Sequence, residues 1–235
     1  MEIISDINLI RVVIALVMLA IGGIFDIWKR EVHDYLWIVF GGIGLVLLLI
    51  EPEPMDTIYS ILFALIIAPV SIIIWRIGLF GGADAFALIA LALIAPQITL
   101  VESEVTPLTT LSNAAVLIII PLIINVMRNT SSIIRHEDIF EGFNETKYRK
   151  ILACIYGYRS KQPKYGFSIE RKRGKSKRFS FTMHHAENEN FATKPNTWIT
   201  PGIPYLLLII AGFVIQLLFG DLIVNGLYAI TTTLS

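Results

Sequence analysis

Apolar residues collect into six long runs, approximately 7–25, 35–50, 57–75, 79–95, 111–127 and 202–220, separated by polar links. A helix rises ~1.5 Å per residue, so most of these runs are long enough to cross a hydrocarbon core of about 30 Å. The links carry helix-stop signals. Asp26-Ile-Trp-Lys-Arg-Glu-Val-His-Asp34 follows the first run, and Asp34 is placed to cap the second helix, where Trp37 is expected at an interface. The acidic turn Glu51-Pro-Glu-Pro-Met-Asp56 follows the second run, and Pro96 ends the fourth. Pro69 and Pro121 lie inside the third and fifth runs and predict kinks.

Between Arg128 and Thr200 the pattern changes. Residues 144–156 read as a helix. Tyr165–Glu170 and Arg178–Met183 alternate apolar and polar residues around the basic turn Arg171–Lys177, which predicts a β-hairpin. The chain thus divides into residues 1–128, with helices 1–5, an α+β insertion at 129–200, and 201–235, with helix 6 and a short apolar tail. The expected fold class is a membrane all-α bundle of six transmembrane helices with a small α+β insertion between helices 5 and 6. A module of about 70 residues buries little surface by itself, so it is expected to rest on the membrane face or on another subunit.

Composition agrees with the membrane assignment. Of 235 residues, 55% are hydrophobic and only 16% charged, too apolar for an ordinary soluble domain. The first run lacks the basic leading end of a secretory signal and is expected to be a retained helix. One cysteine, Cys154, excludes an internal disulfide and any multi-cysteine zinc site.

Charge sets the expected orientation. Fifteen of the 19 Lys and Arg lie between Arg128 and Lys194, and Lys29, Arg30 and Arg76 fall on the same side when six spans alternate. The opposite side has Arg11 against Glu2, Asp6, Glu51, Glu53, Asp56, Glu102, Glu104 and Asp221. The positive-inside rule then makes the insertion cytoplasmic and both termini extracytoplasmic.

The stretch Leu79-Phe-Gly-Gly-Ala-Asp-Ala-Phe86 places an acid, Asp84, inside an apolar run. An ionisable group at membrane depth usually faces a polar cavity or a partner. Asp26 closes the first span on the same expected side. Asp84 would lie on the order of 7 Å in from that interface, at five residues past Leu79. Two carboxyl groups that approach closely share one proton over a wide pH range. The ionised member can activate water while the protonated one polarises a peptide carbonyl and later protonates the leaving amine. This aspartic-protease chemistry uses no metal and no cofactor.

Gly81-Gly82-Ala83-Asp84 resembles the signature of the GxGD intramembrane aspartyl proteases. Asp26, followed by basic residues and a second span, resembles the first catalytic aspartate of type IV prepilin-like peptidases. The layout of spans and insertion is most similar to archaeal preflagellin peptidases. The resemblance implies a membrane endopeptidase that removes the short basic class III signal peptide of archaellin or pilin-like precursors at the cytoplasmic face. It carries over Asp26 and Asp84 as the catalytic pair, with Gly81 and Gly82 shaping the approach of substrate. Two features depart from the wider pattern. Ala83 replaces the second glycine of the strict signature, and the paired-cysteine loop of the bifunctional bacterial enzymes is missing, so neither zinc nor N-methyltransferase activity is expected.

Other readings compete. Asp84 could serve as the ion or proton site of an ion-coupled membrane transporter beside a broken helix, although the chain has no internal repeat. The protein could instead be an assembly scaffold for a surface filament, docking through the insertion. Glu31 and Asp34 are candidates to hold a basic leader, though a solvated turn and a helix cap explain them as well. The basic cluster Arg171–Arg178 suits anionic lipid headgroups better than nucleic acid. The glycine clusters Gly22-Gly23 and Gly41-Gly42-x-Gly44 point to close helix packing.

Overall fold

The computed structural model of the chain describes residues 6–97, 105–173, 176–181 and 190–234. Glu2, Glu102 and Glu104 of the expected extracytoplasmic charge set, and Thr182 and Met183 of the expected hairpin, lie outside these residues. The chain divides into two compact units, residues 1–117 with 204–235, and residues 118–203.

The first unit is helical. It contains α1 (Asp6–Lys29), α2 (Asp34–Val46) with a 3-10 turn at Leu47–Ile50, α3 (Pro54–Ala64), α4 (Ile67–Arg76), α5 (Gly82–Ile94), α6 (Thr106–Leu117), α9 (Tyr205–Phe219) and α10 (Leu222–Leu234). The stretches Ile7–Lys29, Pro54–Arg76 and Thr106–Ile134 are long and apolar enough to cross a membrane. A fourth candidate is α9 with α10, bent by 46° between them. Asp34–Ile50 and Gly82–Ile94 are shorter apolar helices. At ~1.5 Å per residue the 13 residues of α5 extend for only about 20 Å. The molecule is therefore mostly helical, with three to four candidate spans among the described residues.

Proline explains both breaks in the long helices. Pro69 has no N–H to return to the Leu65 carbonyl, which accepts instead from Ala68 N–H at 2.9 Å, and α3 gives way to α4 there. Pro121 stands in the same relation to Leu117, the last residue of α6.

The centre of the first unit is α5, which contacts α1, α2, α3, α4, α6 and α9. It is apolar on every side and rich in alanine, so Ala85, Ala87, Leu88, Ala90, Leu91, Ala92 and Ile94 are all buried. Glycines bring its neighbours close, as the clusters in the sequence suggest. A Cβ on Gly44 would sit 2.7 Å from the Leu93 carbonyl oxygen, and one on Gly22 2.8 Å from the Trp37 ring. Trp37 is therefore buried against α1, while Trp28 is an exposed indole. Gly212 performs the same service between α9 and α6, where a Cβ would meet the Thr110 carbonyl oxygen at 2.6 Å.

Several buried polar groups on these helices are paired. Asn113 donates to the Gly212 and Gly220 carbonyls, and its oxygen accepts from Leu222 N–H. Asp221 accepts from the N–H groups of Ile223 and Val224 and so starts α10. Arg11, 2% exposed on α1, pairs with Glu51 at 2.8 Å and donates to the Ile94 carbonyl at the end of α5.

The second unit contains α7 (Ile119–Ile134), α8 (Lys147–Tyr156) and five short strands, β1 (Tyr158–Ser160), β2 (Gly166–Ser168), β3 (Glu170–Arg173), β4 (Ser176–Phe179) and β5 (Thr197–Pro201). It begins at Ile118, ahead of the composition change at Arg128, because α7 packs on α8. Strands β1, β5 and β2 form an antiparallel sheet with β5 central, while β3 and β4 form a hairpin in the register Glu170↔Phe179 to Arg173↔Ser176. The hairpin lies closer to its turn than the alternation suggested. Arg171–Arg173 and Ser176–Lys177 are strand and not turn, and Gly166–Ser168 pairs with β5. Trp198 of β5 is the core, fully buried, donating its indole N–H to the Ile139 carbonyl at 2.7 Å among Phe140, Phe143 and Phe179. Cys154 on α8 is an unpaired, half-buried thiol, and burial pushes its titration up, which keeps it protonated.

The glycine contacts give a direct test in detergent. Gly212→Ala should lower stability by about 1–3 kcal/mol, the usual range for overpacking. Gly42→Ala, with nothing within 4 Å of the added carbon, should be neutral or slightly stabilising. Thermal unfolding of the two variants beside the parent checks both.

Candidate active site

The site is built from the end of α1, the start of α5 and the start of α9. The chain leaves α4 through a turn at Ile77–Gly78, where Gly78 takes a φ of +82° that favours glycine. It stays non-helical to Gly81, and α5 begins at Gly82. Asp84 thus sits in the first turn of α5, not a turn further in as the sequence suggested. The carboxylate accepts a hydrogen bond from Gly81 N–H at 2.9 Å, which satisfies one of the donors that a helix start leaves open. The positive end of the helix dipole also favours an acid there. Asp84 is only 7% exposed.

Asp26 is in the last turn of α1 and partly exposed. Its charge is felt by Asp84, so the structure brings the two acids within each other's electrostatic reach. Asp26 in turn interacts with Arg30, whose backbone leaves the helix at a φ of +56°. The pair therefore combines a buried carboxyl group with one nearer the surface and beside a cation.

Gly81 and Gly82 flank the buried acid. Gly82 is packed inside the bundle as the first residue of α5. Gly81 has an ordinary extended conformation, φ −82° and ψ 168°, and a Cβ there would meet only Asp84 Oδ2, at 3.5 Å. Neither packing nor backbone conformation calls for glycine at 81.

The other sequence candidates fall outside this group. His33, and not Asp34, occupies the N-cap position of α2, and Asp34 follows in the first turn. Among the described residues no three His, Cys, Asp or Glu side chains gather as a metal centre requires.

One neighbour was missed. Tyr205 opens α9, interacts with Asp84 and stacks on Phe80 at 5.3 Å between ring centroids. In the sequence it lies within an unremarked stretch at the head of the last apolar run. The signal available was a polar-tipped aromatic just after Pro204, at the same expected depth as Asp84.

The separation of roles on Asp84 is testable. Asp84→Asn keeps an oxygen for Gly81 N–H and should unfold close to the parent. Asp84→Ala loses the cap and should cost about 1 kcal/mol, read from thermal unfolding in detergent.

Residues 127–222 match the family described as Archaeal Peptidase A24 C-terminus Type II. The chain is similar to the preflagellin peptidase of Methanococcus maripaludis, 26% identical over 93% of this chain and 99% of the relative. The preflagellin peptidase of Methanocaldococcus jannaschii is 23% identical over 92% of this chain and 97% of its own length. That of Methanococcus voltae is 25% identical, with 92% and 98% covered. The chain is thus similar from end to end to three preflagellin peptidases, with the family match in its C-terminal part.

Proposed function

We propose that the protein is a membrane aspartic endopeptidase that removes the short basic signal peptide from archaellin or pilin-like precursors at the cytoplasmic face, with Asp26 and Asp84 as its catalytic pair. The observation that carries the reading is that α1 and α5 pack together, with Asp26 in the last turn of the one and Asp84, 58 positions later, in the first turn of the other. The relatives named as preflagellin peptidases favour a precursor-processing protease over an ion-coupled carrier.

In this mechanism one proton is shared by the pair. The ionised carboxylate takes a proton from water, whose oxygen attacks the scissile carbonyl. The protonated carboxyl group donates to the carbonyl oxygen, and collapse of the tetrahedral intermediate returns a proton to the leaving amine. The proton belongs to the dyad and is assigned to neither member.

The side chain missing at Gly81 leaves the backbone beside Asp84 open, which suits an extended substrate segment laid against it. In a six-span topology of the kind the charge distribution suggests, with the insertion and active site cytoplasmic and both termini outside, the pair would stand on the side of a precursor's basic leader. No zinc and no N-methylation enter the scheme.

Processing in cells tests it. Co-expression with a precursor whose basic leader ends in glycine should give cleaved product with the parent protein. Asp26→Asn and Asp84→Asn should each slow cleavage by at least about 100-fold, the low end for losing a general acid or base, while still inserting and folding. Near-normal cleavage by either variant removes that residue from the mechanism. Treatment of the purified protein with a chelator should leave the rate unchanged.

A further inference from the structure

In the second unit α8 is amphipathic in the wrong sense for a helix on a water-soluble module. Tyr148, Ile151, Leu152, Ile155 and Tyr156 follow the i, i+3, i+4, i+7, i+8 spacing of a single face. A soluble module turns such a face inward. Here Tyr148 is 81% exposed, Ile151 58%, Leu152 41% and Tyr156 50%, with Ile155 partly exposed. The face that meets the module is made by buried Ala153 and by Arg149, which pairs with Glu145 and donates to the Phe179 carbonyl.

The packing partner of α8 bears on what covers the stripe. The helix lies against α7, part of the stretch Thr106–Ile134 that is long and apolar enough to cross a membrane. The outward side of α7 shows Ile119, Ile120, Ile123, Ile124, Val126 and Met127 before the polar run Arg128–Ser132 begins. Asn125 and Asn129, buried at that transition, donate to the Ile155, Cys154 and Gly157 carbonyls. These are the carbonyls that the end of α8 leaves without helical partners. The last turn of α8 is thus fixed to α7 at the level where its surface changes from apolar to polar.

We propose that α8 lies along the headgroup boundary of the bilayer, with Tyr148, Ile151, Leu152, Ile155 and Tyr156 immersed among the acyl chains. The helix has the form of an interfacial one, an apolar stripe on one face and charges on the rest. Lys147, exposed beside the stripe, is placed to reach the headgroups. A single stripe on one short helix is small beside the ~1,200–2,000 Å² of a stable protein interface, which favours lipid over a second copy of the chain.

Nitroxide accessibility in the full-length protein tests this. In a Cys154→Ser background, Ile151→Cys, Leu152→Cys and, as an aqueous reference, Glu141→Cys are labelled singly and reconstituted into liposomes of phosphatidylcholine and phosphatidylglycerol. All three positions are exposed, so labelling leaves the packing intact. Labels at 151 and 152 should be more open to dissolved oxygen than to a water-soluble nickel chelate, with the order reversed at 141. Adding Leu152→Asp should move the label at 151 toward the nickel reagent. The proposal fails if 151 and 152 match 141, which puts the stripe in water, or if both are closed to both reagents, which puts protein over it. Neither outcome depends on which residues cleave the substrate.

Discussion

Burial of a carboxyl group at the head of a helix that is itself enclosed is the constraint on which this molecule turns. An acid away from water is costly unless it finds donors or shares a proton. The N-terminus of α5 supplies one donor, Gly81 N–H, and a favourable dipole. Enclosing α5 requires it to be thin and apolar, hence its alanines, and requires neighbouring helices to approach closely, hence Gly44 on α2. The short length of α5 has the same origin. Wrapped by α1, α2, α3, α4, α6 and α9, it gains its stability from protein contacts and not from lipid.

Much of this was legible in the chain. The apolar runs became helices, Pro69 and Pro121 marked breaks, and the glycine clusters marked close approaches. What failed did so for identifiable reasons. The burial of Trp37 was not visible, because its contact with Gly22 depends on how α1 and α2 pair. The fourth run was started at Leu79 because Leu79 and Phe80 are apolar, yet their backbone is non-helical and the helix begins where Asp84 can cap it. Strand β5 went unread because Thr197–Pro201 alternates weakly, and it is defined by its partners β1 and β2.

The site was legible to a similar degree. Two acids with one expected depth were visible as a pair, because spans alternate and charges orient them. Tyr205 was not, since its approach to Asp84 depends on α9 returning beside α5 after the whole second unit. The likeness to known proteins adds weight of a different kind, for it lies along the chain and in a match centred on the second unit, away from both aspartates.

Arg11 and its partners give the bundle a ruler. Asp26 lies 15 residues beyond Arg11 on α1, about 22 Å, while Asp84 and Ile94 are ten residues apart on α5, about 15 Å. The guanidinium reaches across the roughly 7 Å difference to the Ile94 carbonyl, with Glu51 neutralising its charge. Sliding α1 along α5 would strip a buried cation of both partners, a loss on the order of 3–5 kcal/mol. The far ends of the two helices therefore keep a common level, so movement that separates the acids is restricted to tilting or rotation about that anchored end.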